Sequence, residues 1–143
     1  MIRSRRRARE AVLQALYWSE SSGDPIAQTL RTMCLRNRLS PEAAGFAGDL
    51  GKQVWSERDT LDQLIESGLQ NWSLARLSRI DRLIMYMALA EILHMVDIPV
   101  KVSIDEAIEL AKRYSVEKSP GFINGVLDGL VRREGWAARP KTA

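Results

Sequence analysis

Only one cysteine, Cys34, occurs in the 143 residues, so no disulfide can form within the chain and a reducing compartment fits. Only one histidine, His94, accompanies it, and the two cannot make a zinc site between them. They read as a small buried residue and a helix C-terminal cation or cap. No apolar run approaches the ~18–20 residues of a membrane span. The N-terminus lacks the apolar stretch of a secretory signal, because arginines lead directly into an amphipathic pattern. A cytoplasmic location is expected. Two-residue alternation is also missing, and with it any convincing strand; "DIPVKVS" (97–103) reads as an extended connector. The chain has no Gly-rich nucleotide loop and no catalytic cysteine motif.

What is present favours helix. Prolines number 5, while Leu, Ala, Arg and Glu abound. Start signals recur at Asp24-Pro25, Ser40-Pro41, Ser56-x-x-Asp59, Ser78-x-x-Asp81, Ser103-x-x-Glu106 and Ser119-Pro120, and stops at Gly23, Gly68, Asp97–Pro99 and Gly135. The spacing predicts an all-α fold of about seven helices, roughly 4–20, 25–36, 41–55, 57–67, 78–96, 104–115 and 120–134. These make one domain of two packed helical subdomains sharing a core: an N-terminal half to about 70, a C-terminal half over about 71–136, and a mobile tail at 137–143. The helix at 78–96 is apolar nearly all round and therefore central. Glu91 within it needs partners from a loop or a cation.

Charge is distributed unevenly. Residues 1–9 hold five arginines and no acid, which leaves 21 − 5 = 16 basic against 18 acidic residues elsewhere. Segregation of this kind marks a nucleic-acid or membrane contact, not a fold requirement. On a helix, Ala8, Ala11, Val12, Ala15 and Leu16 form one apolar stripe. The opposite face carries Arg3, Arg6, Glu10, Gln14 and Tyr17, flanked by Arg5, Arg7 and Arg9. Guanidiniums followed by an outward aromatic suit single-stranded RNA, phosphates meeting arginine and an unstacked base meeting the ring. DNA, anionic lipid or a merely solvated basic end stay open on this evidence. No recognition-helix pattern points to a duplex groove.

"RRRAREAVLQALY" at 5–17, "NWSLARLSRIDRLIMYMALAEI" at 71–92, "IPVKVSIDEAIELAKRYS" at 98–115 and "FINGVLD" at 122–128 together resemble the NusB family of transcription antitermination factors. The resemblance implies two helical bundles, no enzymatic activity and no cofactor. It implies binding of the boxA element of nascent ribosomal RNA transcripts with a small-subunit ribosomal protein, NusE, and assembly with other Nus factors on RNA polymerase. For some members it implies a homodimer that masks the RNA face. Two other readings are weighed: a NusB-like module of a ribosomal-RNA methyltransferase system, and a helical scaffold that binds polyanions nonspecifically. Carried over by position, Arg3, Arg5, Arg6, Arg7, Arg9 and Tyr17 fall in the RNA-binding region, and Gln14 joins the candidates from its place on the same helix face. Phe122 falls near RNA or makes a peripheral core contact, and Lys118 adds charge to that surface or is simply solvated. Asp81 falls near the ribosomal-protein partner, or simply caps with Ser78. Where the family usually reads "LR", this chain has Met85-Tyr86, and Tyr86 is a candidate to replace the arginine by stacking. Ala90 stands where an aromatic is common.

Overall fold

The computed structural model describes residues 2–70 and 73–138, the side chains of residues 2, 3 and 138 excepted. Seven α-helices form among them: α1 (Ile2–Ser22), α2 (Ile26–Arg36), α3 (Pro41–Ser56), α4 (Arg58–Gly68), α5 (Arg79–His94), α6 (Val100–Tyr114) and α7 (Ser119–Glu134). Short 3-10 turns occupy Leu74–Arg76 and Trp136–Ala138. No strand occurs among the described residues. The chain divides into two compact units, one ending at Glu57 and the other beginning at Arg58.

In the first unit α1 packs on α2 and α3. Its apolar stripe, Ala8, Ala11, Val12, Ala15 and Leu16, is buried as the helical spacing requires. α3 begins at a cap, the Ser40 hydroxyl accepting from the Ala43 amide at 3.2 Å. Gly51 lies so close to Leu30 of α2 that a Cβ there would fall 2.6 Å from Leu30 Cδ2. A methyl there would force the Leu30 side chain to shift.

In the second unit α5 is the central element, packed against α4, α6 and α7. Every residue from Leu83 to Ile92 is buried. The Ser78 hydroxyl caps it by accepting from the Asp81 amide at 3.1 Å. Glu91 is buried, and the Ser103 hydroxyl of α6 donates to its Oε1 at 2.8 Å.

Several boundaries depart from the sequence reading. The division falls before α4, not near residue 70, because Leu61 and Ile65 carry α4 into the core of the second unit. Residues 100–103 are helical, since Pro99 serves as N-cap of α6, and Ser103 binds Glu91 instead of capping. Pro25, not Asp24, is the N-cap of α2, and Ser56 ends α3 with its hydroxyl donated back to Gln53 O at 3.1 Å. Of the expected mobile tail, 137 and 138 close a 3-10 turn after Gly135, whose φ of +71° ends α7, and 139–143 lie outside the described residues.

Candidate nucleic-acid interface

The basic face of α1 is built in layers. Tyr17 is 43% exposed, on the side away from the stripe. Arg5, Arg6 and Arg7 are exposed, while the side chain of Arg3 lies outside the described residues. Arg9 departs from expectation. It is only 3% exposed, because its guanidinium lies over the Phe46 ring of α3, 5.3 Å from the centroid. Arg5 lies over the same ring at 4.7 Å. One aromatic therefore gathers two cations four residues apart on α1, offsetting part of the repulsion along the run.

A second anchor sits at the C-terminal end of α2. The Arg7 guanidinium donates to the Asn37 carbonyl oxygen. The Asn37 side-chain amide donates to Gln14 Oε1 at 3.0 Å and to Met33 O at 2.7 Å. Arg7 and Gln14, one above the other on α1, are thus tied to one residue of α2. Neither Phe46 nor Asn37 was anticipated. The only sequence signal was the position of Asn37 beyond the last turn of α2, a common place for asparagine.

The second unit contributes a separate surface. Phe122 is half-buried and Lys118 exposed, on the rim of a groove of about 640 Å³ that also meets Leu77, Ile80, Tyr114 and Val116. Asp81 stands behind it at 8% exposure. Its carboxylate accepts from the Ser115 hydroxyl at 2.6 Å and the Ser119 hydroxyl at 2.8 Å. With one hydroxyl on each oxygen, Asp81 fixes the α6–α7 loop to the start of α5.

Tyr86 is not a stacking platform. It is 1% exposed, its hydroxyl donates to Asp62 Oδ1 of α4, and Arg82 donates to that hydroxyl at 2.6 Å. Burial pushes its phenol pKa up, the bond to Asp62 adds to the rise, and Arg82 opposes it. A ring facing solvent at this position would leave a hole in the most deeply buried helix among the described residues. Tyr86 is withdrawn from the candidate RNA set. Burial likewise raises the Cys34 thiol pKa.

An all-α protein of two helical units, its positive charge gathered on one face of the first helix, is the class these observations define. The sequence profile of the NusB family matches residues 6–132. The transcription antitermination protein NusB of Myxococcus xanthus is 43% identical over 129 residues, 87% of this chain and 92% of that protein. The NusB of Desulfatibacillum aliphaticivorans is 40% identical over 126 residues, 88% of each chain. The solved T. maritima NusB superposes with a TM-score of 0.83 at 39% identity, covering 90% of both chains. A structure described as antitermination factors NusB and NusE in complex with dsRNA gives a TM-score of 0.84 at 23% identity over 93% of this chain and 99% of that one, a likeness of fold. The chain belongs to the NusB family, whose members are non-enzymatic transcription antitermination factors. Among the described residues no helix is long and apolar enough to cross a membrane.

Proposed function

We propose that this chain binds single-stranded RNA of the boxA type on nascent transcripts, jointly with a small-subunit ribosomal protein of the NusE kind. The observation that carries the reading is the exposed Tyr17 ring in line with Arg6 on a cation-rich helix, in a member of the NusB family. A solved structure described as NusB and NusE in complex with dsRNA supports RNA and a NusE-type protein as the classes of partner, and the outward Tyr17 ring supports an unpaired strand. Arg3, Arg6 and Arg7 neutralise phosphates, and Arg5 adds to the field from its seat on Phe46. Tyr17 stacks on an unpaired base, a contact of roughly 1–3 kcal/mol. Lys118 and Phe122 form a second nucleic-acid contact on the other unit.

The ribosomal protein supplies a second, modest interaction, and linking the two raises effective concentration. The assembly joins other Nus factors on RNA polymerase in the cytoplasm and lets the enzyme pass terminators. A resting homodimer masks the α1 face, and sedimentation is expected to show RNA dissociating it; a dimer left intact by bound RNA would argue against masking.

The test is titration of boxA-like and scrambled RNA, with and without the ribosomal protein, over a salt series. Tighter binding of the boxA-like strand is expected, with log affinity falling by about 0.7 per phosphate for each decade of salt. Arg6→Ala flattens that slope by several tenths. Equal affinity for both RNAs in every condition would reduce the function to nonspecific polyanion binding.

A further inference from the structure

The junction of α2 and α3 carries charge that the site above leaves unused. Arg36 and Arg38 are exposed, and among the described residues no hydrogen bond, ion pair or ring contact engages either side chain. This contrasts with Arg5, Arg7 and Arg9, which the fold holds in place.

Arg38 is also strained. α2 closes with two nested bonds, Leu39 N to Cys34 O and Arg38 N to Leu35 O, both 3.1 Å. That closure puts Arg38 at φ +53°, the left-handed region where glycine is the relaxed choice. A cation near the end of α2 does interact favourably with its dipole. At an exposed site, that return is smaller than the cost of a left-handed arginine. Helix stability alone therefore favours glycine at 38, and the guanidinium calls for another reason.

Asn37 supplies the geometry for one. Its backbone oxygen takes the Arg7 guanidinium, so the α1 ridge runs without a break onto the end of α2. Its side-chain amide nitrogen is committed inward to Gln14 and Met33. No donor among the described residues reaches its Oδ1, and the side chain is half-exposed. An acceptor beside the Arg7 guanidinium, flanked along the chain by Arg36 and Arg38, suits the exocyclic amine of an unpaired base whose phosphates meet those arginines. An acidic protein surface would satisfy the two arginines but has no donor placed to suit Oδ1.

Deepening the RNA reading above and resting on it, we propose that Arg36, Asn37 and Arg38 form a second segment of the strand-binding site. Arg36 and Arg38 each take a phosphate, and Asn37 Oδ1 accepts from the amine of one adenine, cytosine or guanine.

The decisive variant is Arg38→Gly, tested with Arg36→Gln and Arg6→Ala in one RNA titration series. Arg38→Gly is expected to raise the melting midpoint. It is expected at the same time to weaken RNA about fivefold at 0.1 M salt and to flatten the salt slope by about 0.7, the effect of one lost phosphate. Arg36→Gln adds a similar decrement, and Asn37→Ala erases discrimination at one base position while leaving the slope unchanged. If Arg38→Gly and Arg36→Gln keep wild-type affinity and slope while Arg6→Ala loses both, the extension falls and the α1 reading stands. Loss of ribosomal-protein binding with RNA affinity intact also overturns it, by assigning the patch to protein. If the wild type binds no RNA under any condition, both readings fall together.

Discussion

Removing one oxygen atom tests the packing of the second unit directly. Tyr86→Phe keeps the buried ring and deletes the hydroxyl that joins Asp62 on α4 to Arg82 on α5. A hydrogen bond to a charged group contributes about 1.5–3 kcal/mol. Two are lost here, but Asp62 and Arg82 are both half-buried and regain water, returning part of that. The expected net loss is about 2 kcal/mol, or a fall in melting midpoint of about 4–8 °C for a domain of this size. The alkaline limb gives a second, independent reading. The folded-state pKa of Tyr86 is raised above its unfolded value, near 10, by burial first and by the bond to Asp62 second. Its contribution is therefore complete below about pH 10 and disappears as pH rises toward the folded value, at about 1.4 kcal/mol per pH unit. Urea denaturation of wild type and Tyr86→Phe at pH 7.5, 10, 10.5 and 11 measures both effects, because every other titrating group cancels in the difference. Curves that stay parallel through pH 11, or a loss below about 0.5 kcal/mol at neutral pH, would refute the reasoning. RNA affinity should stay within twofold of wild type; a larger drop would return Tyr86 to the RNA surface.

Three further outcomes follow from the geometry. Gly51→Ala forces a methyl against Leu30 at a cost of about 1–3 kcal/mol, offset by about 1 kcal/mol of helix propensity, and should lose up to about 2 kcal/mol in urea, whereas Gly48→Ala, with open space around it, should be neutral or slightly stabilising. Asp81→Ala strips the shared acceptor from Ser115 and Ser119 and should lose about 2–4 kcal/mol by the same measurement, while Ser115→Ala, which leaves Ser119 in place, should lose only about 1 kcal/mol. Phe46→Leu leaves net charge unchanged but removes the aromatic face under Arg5 and Arg9; RNA affinity should fall severalfold by fluorescence anisotropy with the salt slope unaltered.

Much of the fold was legible because its signals are local. The period of Ala8, Ala11, Val12, Ala15 and Leu16 specifies a buried stripe whatever packs on it, and Ser40 and Ser78 cap the helices they precede. Reading failed where a polar residue chose a distant partner over its own helix end. Ser103 resembles a capping residue by spacing, but Glu91, twelve residues earlier, offers a buried carboxylate that outweighs the cap. Asp81 likewise turns from Ser78 to two serines more than thirty residues away. At the site, the outward direction of Tyr17 followed from helix geometry alone. The burial of Arg9 did not, because it depends on Phe46 arriving from α3, and nothing near either residue announces the meeting. The inward turn of Tyr86 is equally hidden from the sequence, its hydroxyl being satisfied from α4 by Asp62.

The seat that Phe46 provides for Arg5 and Arg9 has a thermodynamic corollary. A free arginine carries about 2 kcal/mol of rotamer entropy, which a ligand must suppress when it immobilises the side chain. Here two such chains surrender that freedom when the helices assemble, before any strand arrives. With Arg9 buried beneath it, the contribution of Arg5 to docking then has a smaller entropic opposition, and its temperature dependence should be shallower than that of a cation reaching out from a bare helix.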